Sequence, residues 1–140
     1  MDVLFKQLDE TLEAPAYARP GDAGLDLRAA EGGTLLPFER ALVPCGIALA
    51  VPEGYAGLII PRSGLAARQG ISIVNAPGLI DSGYRGEIKV PLRNQGSEPY
   101  TVQPGERIAQ LMVTPVVQAE LKIVDELDDT QRGAGGFGST

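Results

Sequence analysis

The sequence predicts an all-β domain, a barrel or a sandwich built from short strands. Short apolar runs recur at roughly 8–12-residue spacing with turn residues between them, which is typical of such folds. The 140 residues include 18 Gly and 11 Pro, and neither residue favours long helices. Only residues 63–69 have the pattern of a helical turn, so one short helix is expected.

Six segments are expected to be strands, and most of them are bounded by Gly or Pro. They are residues 25–29, 41–51, 55–60, 86–94, 107–114 and 118–124. Segment 107–114 places Ala109, Leu111 and Val113 on one face of a strand and the intervening residues, including Gln110, on the other. Chain length and an apolar content of 44% allow one domain with a buried core.

Segment 86–94 shows the clearest strand alternation. Ile88, Val90 and Leu92 share one face, and charged residues lie on the other. Pro91 interrupts this segment, and proline cannot donate to a β-ladder. It therefore predicts an edge strand or a β-bulge at this point.

The charge and the reactive residues exclude several classes of function. The net charge is −6, whereas duplex-binding proteins are usually basic, so non-specific nucleic-acid binding is not expected. The chain has no His and one Cys, which argues against a zinc site. Cys45 alone cannot form an intramolecular disulfide, and neither a secretory signal nor an apolar run of about 20 residues is apparent. A cytoplasmic location is expected.

The last sixteen residues differ in composition from the rest. Four of the five residues 125–129 are acidic, and a Gly-rich stretch, 132–140, follows. We expect a domain over residues 1–124 and a mobile C-terminal arm over residues 125–140. A frayed terminus is one interpretation. In the other, closely spaced backbone N–H groups approach phosphate oxygens, Arg132 adds a charged contact and Phe137 offers a flat face to a base.

Two internal segments also have residues suited to a phosphorylated ligand. Ser63 begins the expected helical turn, where it could serve as an N-cap or contact an anion, and these interpretations are equally supported. Between residues 75 and 87, apolar stretches flank turn residues and suggest a hairpin with Asp81 and Tyr84 near its tip. An isolated Asp in a turn is more often a local hydrogen-bond acceptor than a catalyst.

Taken together and in order, five segments resemble the motifs of the trimeric dUTPase family. They are 22–27 (DAGLDL), 61–66 (PRSGLA), 78–88 (GLIDSGYRGEI), 105–111 (GERIAQL) and 132–140 (RGAGGFGST). The resemblance spans nearly the whole chain. It implies a distorted jelly-roll β-barrel with one short helix and a flexible C-terminal tail. Glu106 stands where Asp is more usual in the family, a departure expected to matter little.

The resemblance implies hydrolysis of dUTP to dUMP and pyrophosphate. Asp81 would be the catalytic general base, activating a water that attacks the α-phosphorus, and Mg²⁺ would be the cofactor. Asp26 would contact the metal through water. The implied substrate-binding residues are Arg62, Ser63, Gly64, Asn75, Tyr84, Gln110, Arg132, Phe137, Gly138 and Ser139.

Within that set, the resemblance implies a division of labour. Arg62, Ser63 and Gly64 would hold the phosphate chain, and Arg132 would meet the γ-phosphate. Asn75 would hydrogen-bond uracil, and the ring of Tyr84 would pack on deoxyribose and exclude a 2′-hydroxyl. Family members of this length are homotrimers with shared active sites, the fifth motif reaching across from a neighbour.

Three alternatives remain at the level of sequence. A dCTP deaminase-like enzyme shares the implied fold, although its hairpin sequence differs from that around Asp81. A nucleotide-binding regulator without catalysis would not need Asp81, Gln110 and Arg132 together. A structural jelly-roll protein without a ligand would not need the five motifs.

Overall fold

The structure, a computed structural model, describes residues 1–138, which form ten strands and one short helix. The strands are β1 (Leu4–Gln7), β2 (Leu25–Arg28), β3 (Gly33–Leu35), β4 (Arg40–Ala50), β5 (Tyr55–Pro61), β6 (Ile71–Ile73), β7 (Gly78–Ile80), β8 (Glu87–Asn94), β9 (Tyr100–Val102) and β10 (Arg107–Pro115). The helix, α1, is Ser63–Gln69. The all-β prediction with one short helix is confirmed.

The strands form two four-stranded antiparallel sheets and one smaller pair. Sheet A has the order β1-β4-β8-β6, sheet B has the order β2-β10-β5-β7, and β3 pairs with β9. Within the described residues neither large sheet closes on itself, so the jelly roll is open at its edges rather than a continuous barrel. One buried apolar cluster takes residues from both sheets.

The alternation predicted for β8 is confirmed by burial. Ile88, Val90 and Leu92 are at most 1% exposed and face the core. Removing such side chains from water contributes about 1.5–3 kcal/mol each. The next strand of the same sheet supplies Val43 and Cys45 to the same core.

The prediction for Pro91 is wrong, because β8 lies inside sheet A between β4 and β6. The register shift in the β4–β8 pairing lies between Pro44 and Ala48, not at Pro91. A proline is tolerated here because β6 ends at Ile73, one residue before the position opposite Pro91. The carbonyl of Pro91 still accepts a hydrogen bond from Val74 N, at 2.9 Å. The cost is therefore limited to the one hydrogen bond that an N–H at position 91 would have donated at the end of β6.

The helix α1 is fixed at its C-terminus by a buried polar contact. Gly70 ends it in the left-handed conformation (φ 67°) and packs closely on Gly96. Asn94, which is fully buried, holds this turn: its amide donates to Leu35 O and Glu98 O, and its Oδ1 accepts from Gly96 N. The contacts at the C-terminal end of α1 therefore help to position its N-terminal end.

The strand predicted over residues 118–124 is wrong. β10 ends at Pro115, and residues 116–138 contain no strand. The sequence has apolar residues there, but nothing within residues 1–138 covers Val117, Leu121, Ile123 or Leu127, which are at least 85% exposed. A strand needs a neighbouring edge, and β2 and β5 already occupy both edges of β10.

Among the described residues, no helix is long and apolar enough to cross a membrane.

Candidate active site

Three of the predicted site residues meet at one end of sheet B. Asp26 on β2 is directly opposite Gln110 on β10, and Gln110 is opposite Ile60 on β5. Arg62 comes directly after β5 and reaches the same end. Because residues directly opposite in a ladder share a face, the side chains of Asp26 and Gln110 are neighbours.

The carboxylate of Asp26 lies between two arginines. Arg62 Nε is 3.3 Å from its Oδ1, and Arg107 Nη1 donates to its Oδ2 at 3.0 Å. Arg62 Nη1 also donates to the carbonyl of Arg107, at 3.1 Å. The Asp26 side chain is only 13% exposed. Two cations against one carboxylate leave this end of the sheet with an excess positive charge, suited to an anion.

Sequence reasoning assigned no role to Arg107, although it lies in the fourth motif. Its contact with Asp26 spans 81 residues of sequence, a separation at which no local pattern carries a signal. Nearby, the hydroxyl of Tyr100 donates to the Glu106 carboxylate. Burial, then the hydrogen bond to Glu106 and its negative charge, raise the pKa of Tyr100, so this hydroxyl stays protonated and a donor.

The start of α1 continues this cluster. The N-cap residue is Arg62, which makes no side-chain capping hydrogen bond, and Ser63 is the first helical residue. The N-cap interpretation of Ser63 is therefore wrong, and its exposed hydroxyl is not committed to capping. At Gly64, a Cβ would lie 2.9 Å from Arg68 Nη2, so the arginine packs over this glycine.

The segment between β6 and β8 contains the second group of predicted residues. β6 and β8 pair with each other in sheet A, and the connection between them crosses to sheet B, where β7 pairs with β5. The hairpin predicted over residues 75–87 is therefore wrong as a paired ladder. Its tip is a turn in which Tyr84 N donates to Asp81 O at 3.1 Å. We name residues 74–86 the crossover loop.

A cavity of about 300 Å³ lies between the crossover loop and sheet A. Asn75 and Tyr84 line it together with Gly78 and the apolar side chains of Ile59 and Ile80. Glu87 and Lys89 also line it. A cleft with apolar walls and a few polar groups, here including the amide of Asn75, can bind a flat heterocycle and read its hydrogen-bonding edge.

Asp81 does not line this cavity. It lies in a separate depression beside Tyr55, Ala56 and Val116. Asp81 is exposed, and its carboxylate makes no hydrogen bond or ion pair within residues 1–138.

The structure thus separates the predicted residues into two half-sites on one chain. One is the crossover loop with Asn75, Asp81 and Tyr84, and the other is the end of sheet B with Asp26, Arg62 and Gln110. Ile80, the residue before Asp81, is opposite Gly57, whereas Arg62 follows Pro61. At about 3.3 Å per residue, these two positions on β5 are roughly 13 Å apart. Asp81 and the Arg62 cluster lie at opposite ends of this strand.

The tail residues form a third, isolated group. Arg132 Nε donates to Gly135 O at 2.9 Å, and Gly133 N bonds to Thr130. Phe137 is fully exposed and, like Gly138, has a left-handed backbone (φ 51° and 79°). Ser139 lies outside the described residues.

The donor set fits a magnesium ion held through water rather than directly. Among the described residues, no group of three or more His, Cys, Asp or Glu could hold a metal. Asp26 Oδ1, however, is buried and accepts no hydrogen bond within residues 1–138, so it has capacity for a donor such as a metal-bound water. Mg²⁺ usually keeps several waters and takes few protein ligands.

Comparisons with known proteins agree with these features. A model of the dUTPase family matches residues 10–140. Deoxyuridine 5'-triphosphate nucleotidohydrolase of Thermobifida fusca (strain YX) is 58% identical over 139 residues, covering 99% of this chain and 78% of that protein. The protein of the same name from Anaeromyxobacter sp. (strain Fw109-5) is 59% identical over 129 residues, covering 92% and 88%.

Two solved structures show the same fold. A mutant of Staphylococcus bacteriophage 80alpha dUTPase with dUpNHpp has a TM-score of 0.91 at 30% identity, covering 99% of this chain and 97% of that one. A mutant dUTPase from phage phi11 of S. aureus, described with a structural Mg(II) ion, has a TM-score of 0.85 at 27% identity, covering 92% and 100%. With the family model matching almost the full length, the chain belongs to the dUTPase family.

Proposed function

We propose that this chain hydrolyses dUTP to dUMP and pyrophosphate. The proposal rests on the two half-sites of this chain. The first offers a cavity with Asn75 on its wall, and the second is an arginine-rich sheet end at Asp26 and Arg62. The first suits a base and the second a phosphate chain. The activity would limit uracil in DNA and supply dUMP for dTMP synthesis.

Asp81 is the proposed general base. Its exposed carboxylate takes a proton from water, the water oxygen bonds to the α-phosphorus, and the bond to the bridging oxygen of pyrophosphate breaks. The chain has no His, so a carboxylate is the natural base near neutral pH. The proton stays on Asp81 until solvent removes it.

Phosphate binding is assigned to the sheet-end cluster and the tail. Arg62 already uses Nε toward Asp26 and Nη1 toward the carbonyl of Arg107, which fixes its plane and leaves its remaining N–H groups for phosphate oxygens. Ser63, Gly64 and Gln110 extend this contact. Arg132, Phe137, Gly138 and Ser139 close over the triphosphate from the tail, with Arg132 on the γ-phosphate.

Mg²⁺ is the proposed cofactor, with Asp26 holding one of its waters. When bound, the ion neutralises charge on the triphosphate and supports departure of pyrophosphate. Asp26 in turn is held by Arg107, so its orientation does not depend on the substrate.

Nucleotide selection is assigned to the cavity beside Asn75. Cytosine presents the wrong donors and acceptors to a hydrogen-bonding pocket, which can reject it by roughly 10⁴-fold or more. Thymine differs by one methyl, worth only about 1–3 kcal/mol in a soft pocket. Rejection of dTTP therefore requires a rigid crossover loop that clashes with the methyl group.

A homotrimer with shared sites accounts for the separation of the half-sites. On one chain Asp81 and Arg62 lie at opposite ends of β5, and Arg62 is turned toward Asp26 and the carbonyl of Arg107 at its own end. We propose that Asp81 of one copy faces Arg62 of a second, and that a tail completes the site. The exposed apolar residues Val117, Leu121 and Ile123 give the segment leading to the tail a surface to bury against a neighbour. The trimer would work in the cytoplasm.

The test is pyrophosphate release from dUTP, dCTP, dTTP and UTP, each with and without Mg²⁺. We expect rapid release from dUTP with Mg²⁺ and a kcat/KM lower by roughly 10²-fold or more for the others. Deamination of dCTP would instead identify the deaminase-like alternative. Tight dUTP binding without turnover would identify a regulator, and either result would refute the proposal.

A further inference from the structure

The ring of Tyr84 folds back over its own backbone and covers Gly86. A Cβ built on Gly86 would lie 2.6 Å from Cζ of Tyr84 and 3.0 Å from Cε2, and closer still to its hydroxyl oxygen. Non-bonded carbon atoms do not approach so closely. A side chain at position 86 therefore cannot coexist with the ring in this place.

The need for glycine at this position arises from the ring and not from the backbone. Gly86 does not adopt a left-handed conformation, so its φ would accept any residue. Gly83, three residues earlier in the crossover loop, likewise has an ordinary φ, and a Cβ added there would meet no atom within 4 Å. Both backbones would accept a side chain, and only at Gly86 does the Tyr84 ring occupy the space that it would need.

The ring is also anchored to the framework of the fold. The Tyr84 hydroxyl donates to the carbonyl of Glu87, at 2.9 Å. The carboxylate of Glu87 accepts from Gly46 N, at 3.1 Å, across the β4–β8 pairing. Tyr84 is 44% exposed, so without these contacts its ring would sample several rotamers. Its position is set by one hydrogen bond and by the free space over Gly86.

We propose that Gly86 is a positioning residue for sugar selection, acting through Tyr84. This rests on the proposed function, in which the ring packs where a 2′-hydroxyl would lie. A ring displaced by a methyl group at position 86 loses its bond to Glu87 O and no longer closes the space beside the sugar. Gly86 itself touches no substrate.

The test compares Gly86→Ala with Gly83→Ala, a matched change in the same loop. The readout is the ratio of kcat/KM for dUTP to that for UTP. A pocket that excludes one added hydroxyl discriminates by about 10²-fold, so we expect Gly86→Ala to lower the ratio by on the order of tenfold. Gly83→Ala should leave it within twofold of the parent. An unchanged ratio in Gly86→Ala, or an equal fall in both variants, overturns the proposal.

A double variant separates this role from general damage to the loop. In a Tyr84→Ala background the ring is absent, so adding Gly86→Ala should not lower the ratio further. If Gly86→Ala alone fails to fold, the double variant should fold, because the clash is gone. A further fall in the ratio of the double variant, or its failure to fold when Tyr84→Ala folds, contradicts the proposal. If the parent chain does not hydrolyse dUTP, the proposed function fails instead.

Discussion

Replacing Asp26 by Asn removes the charge from the centre of an ion-pair cluster while keeping its shape. Asp26 is 13% exposed and contacts Arg62, which is 26% exposed, and Arg107, which is 44% exposed. The substitution leaves both guanidinium groups close together without a carboxylate between them. We expect a loss of stability, accompanied by weaker phosphate binding because Arg62 is no longer held.

The burial of the three side chains sets the size of the effect. Breaking a buried ion pair costs about 3–5 kcal/mol, and an exposed pair contributes about 0–1 kcal/mol. The pair with Arg62 lies nearer the first case and the pair with Arg107 nearer the second. We therefore expect Asp26→Asn to lower the free energy of unfolding by roughly 2–4 kcal/mol. For a chain of this size that corresponds to a fall in Tm of roughly 6–12 °C.

Thermal and denaturant unfolding would measure the effect, with two comparison variants. Asp22→Asn, four residues earlier, removes an exposed carboxylate whose one described contact is with Arg19 N, and should cost about 1 kcal/mol or less. Arg107→Leu should also cost less than Asp26→Asn. Equal losses in Asp26→Asn and Arg107→Leu, or none in either, would refute the ranking by burial.

Three further outcomes are expected. Asp81→Asn should keep the fold and nucleotide binding but lower kcat by about 10²–10⁴-fold, the usual cost of losing a general base; stopped-flow pyrophosphate release within threefold of the parent would remove the assignment. Deleting residues 132–140 should leave Tm nearly unchanged but strongly reduce kcat/KM for dUTP, because charge stabilisation and exclusion of water are lost; full activity of the shortened chain would make the segment a frayed end. Burial, and then the charge of Glu87, raises the pKa of Cys45 to about 12 from an ordinary 9.0, so the folded thiol stays neutral while the unfolded one ionises. Stability present below pH 9 should therefore fall by about 1.4 kcal/mol per pH unit as pH rises from 9 toward 12, and denaturant midpoints of Cys45→Ala should lack that component.

The predictions were best for elements whose own residue pattern decides which face is buried. The alternation of Ile88, Val90 and Leu92 identified the core face of β8. The short helix predicted over residues 63–69 follows an apolar strand, and in the structure Gly70 ends it in the left-handed conformation.

The errors arose where a neighbour in space decides the outcome. Turn residues between 75 and 87 look the same whether β7 pairs with β8 or, as it does, with β5. Pro91 is tolerated inside a sheet because β6 happens to end beside it. Apolar residues at 118–124 predict a strand, but no edge within residues 1–138 receives them.

Motif resemblance predicted the candidate site as single residues, and it carried no information on how the fold arranges them. Motif resemblance named Asp26, Arg62 and Asp81, and the ladder register alone shows that Asp81 lies apart from the other two. Arg107 was missed because its contact with Asp26 joins strands far apart in sequence.

The separation of the two half-sites on one chain has a genetic consequence. If each site takes Asp81 from one copy and Arg62 from another, two different inactive alleles can complement each other. In an equal mixture of chains lacking Asp81 and chains lacking Arg62, random assembly would restore about one quarter of the sites. A restored site must take Asp81 from a chain that still has it and Arg62 from a neighbour that still has that residue. A single defective allele of this kind, mixed equally with the intact one, removes only about half of the sites, because a chain without Asp81 fails in the one site to which it would contribute that residue.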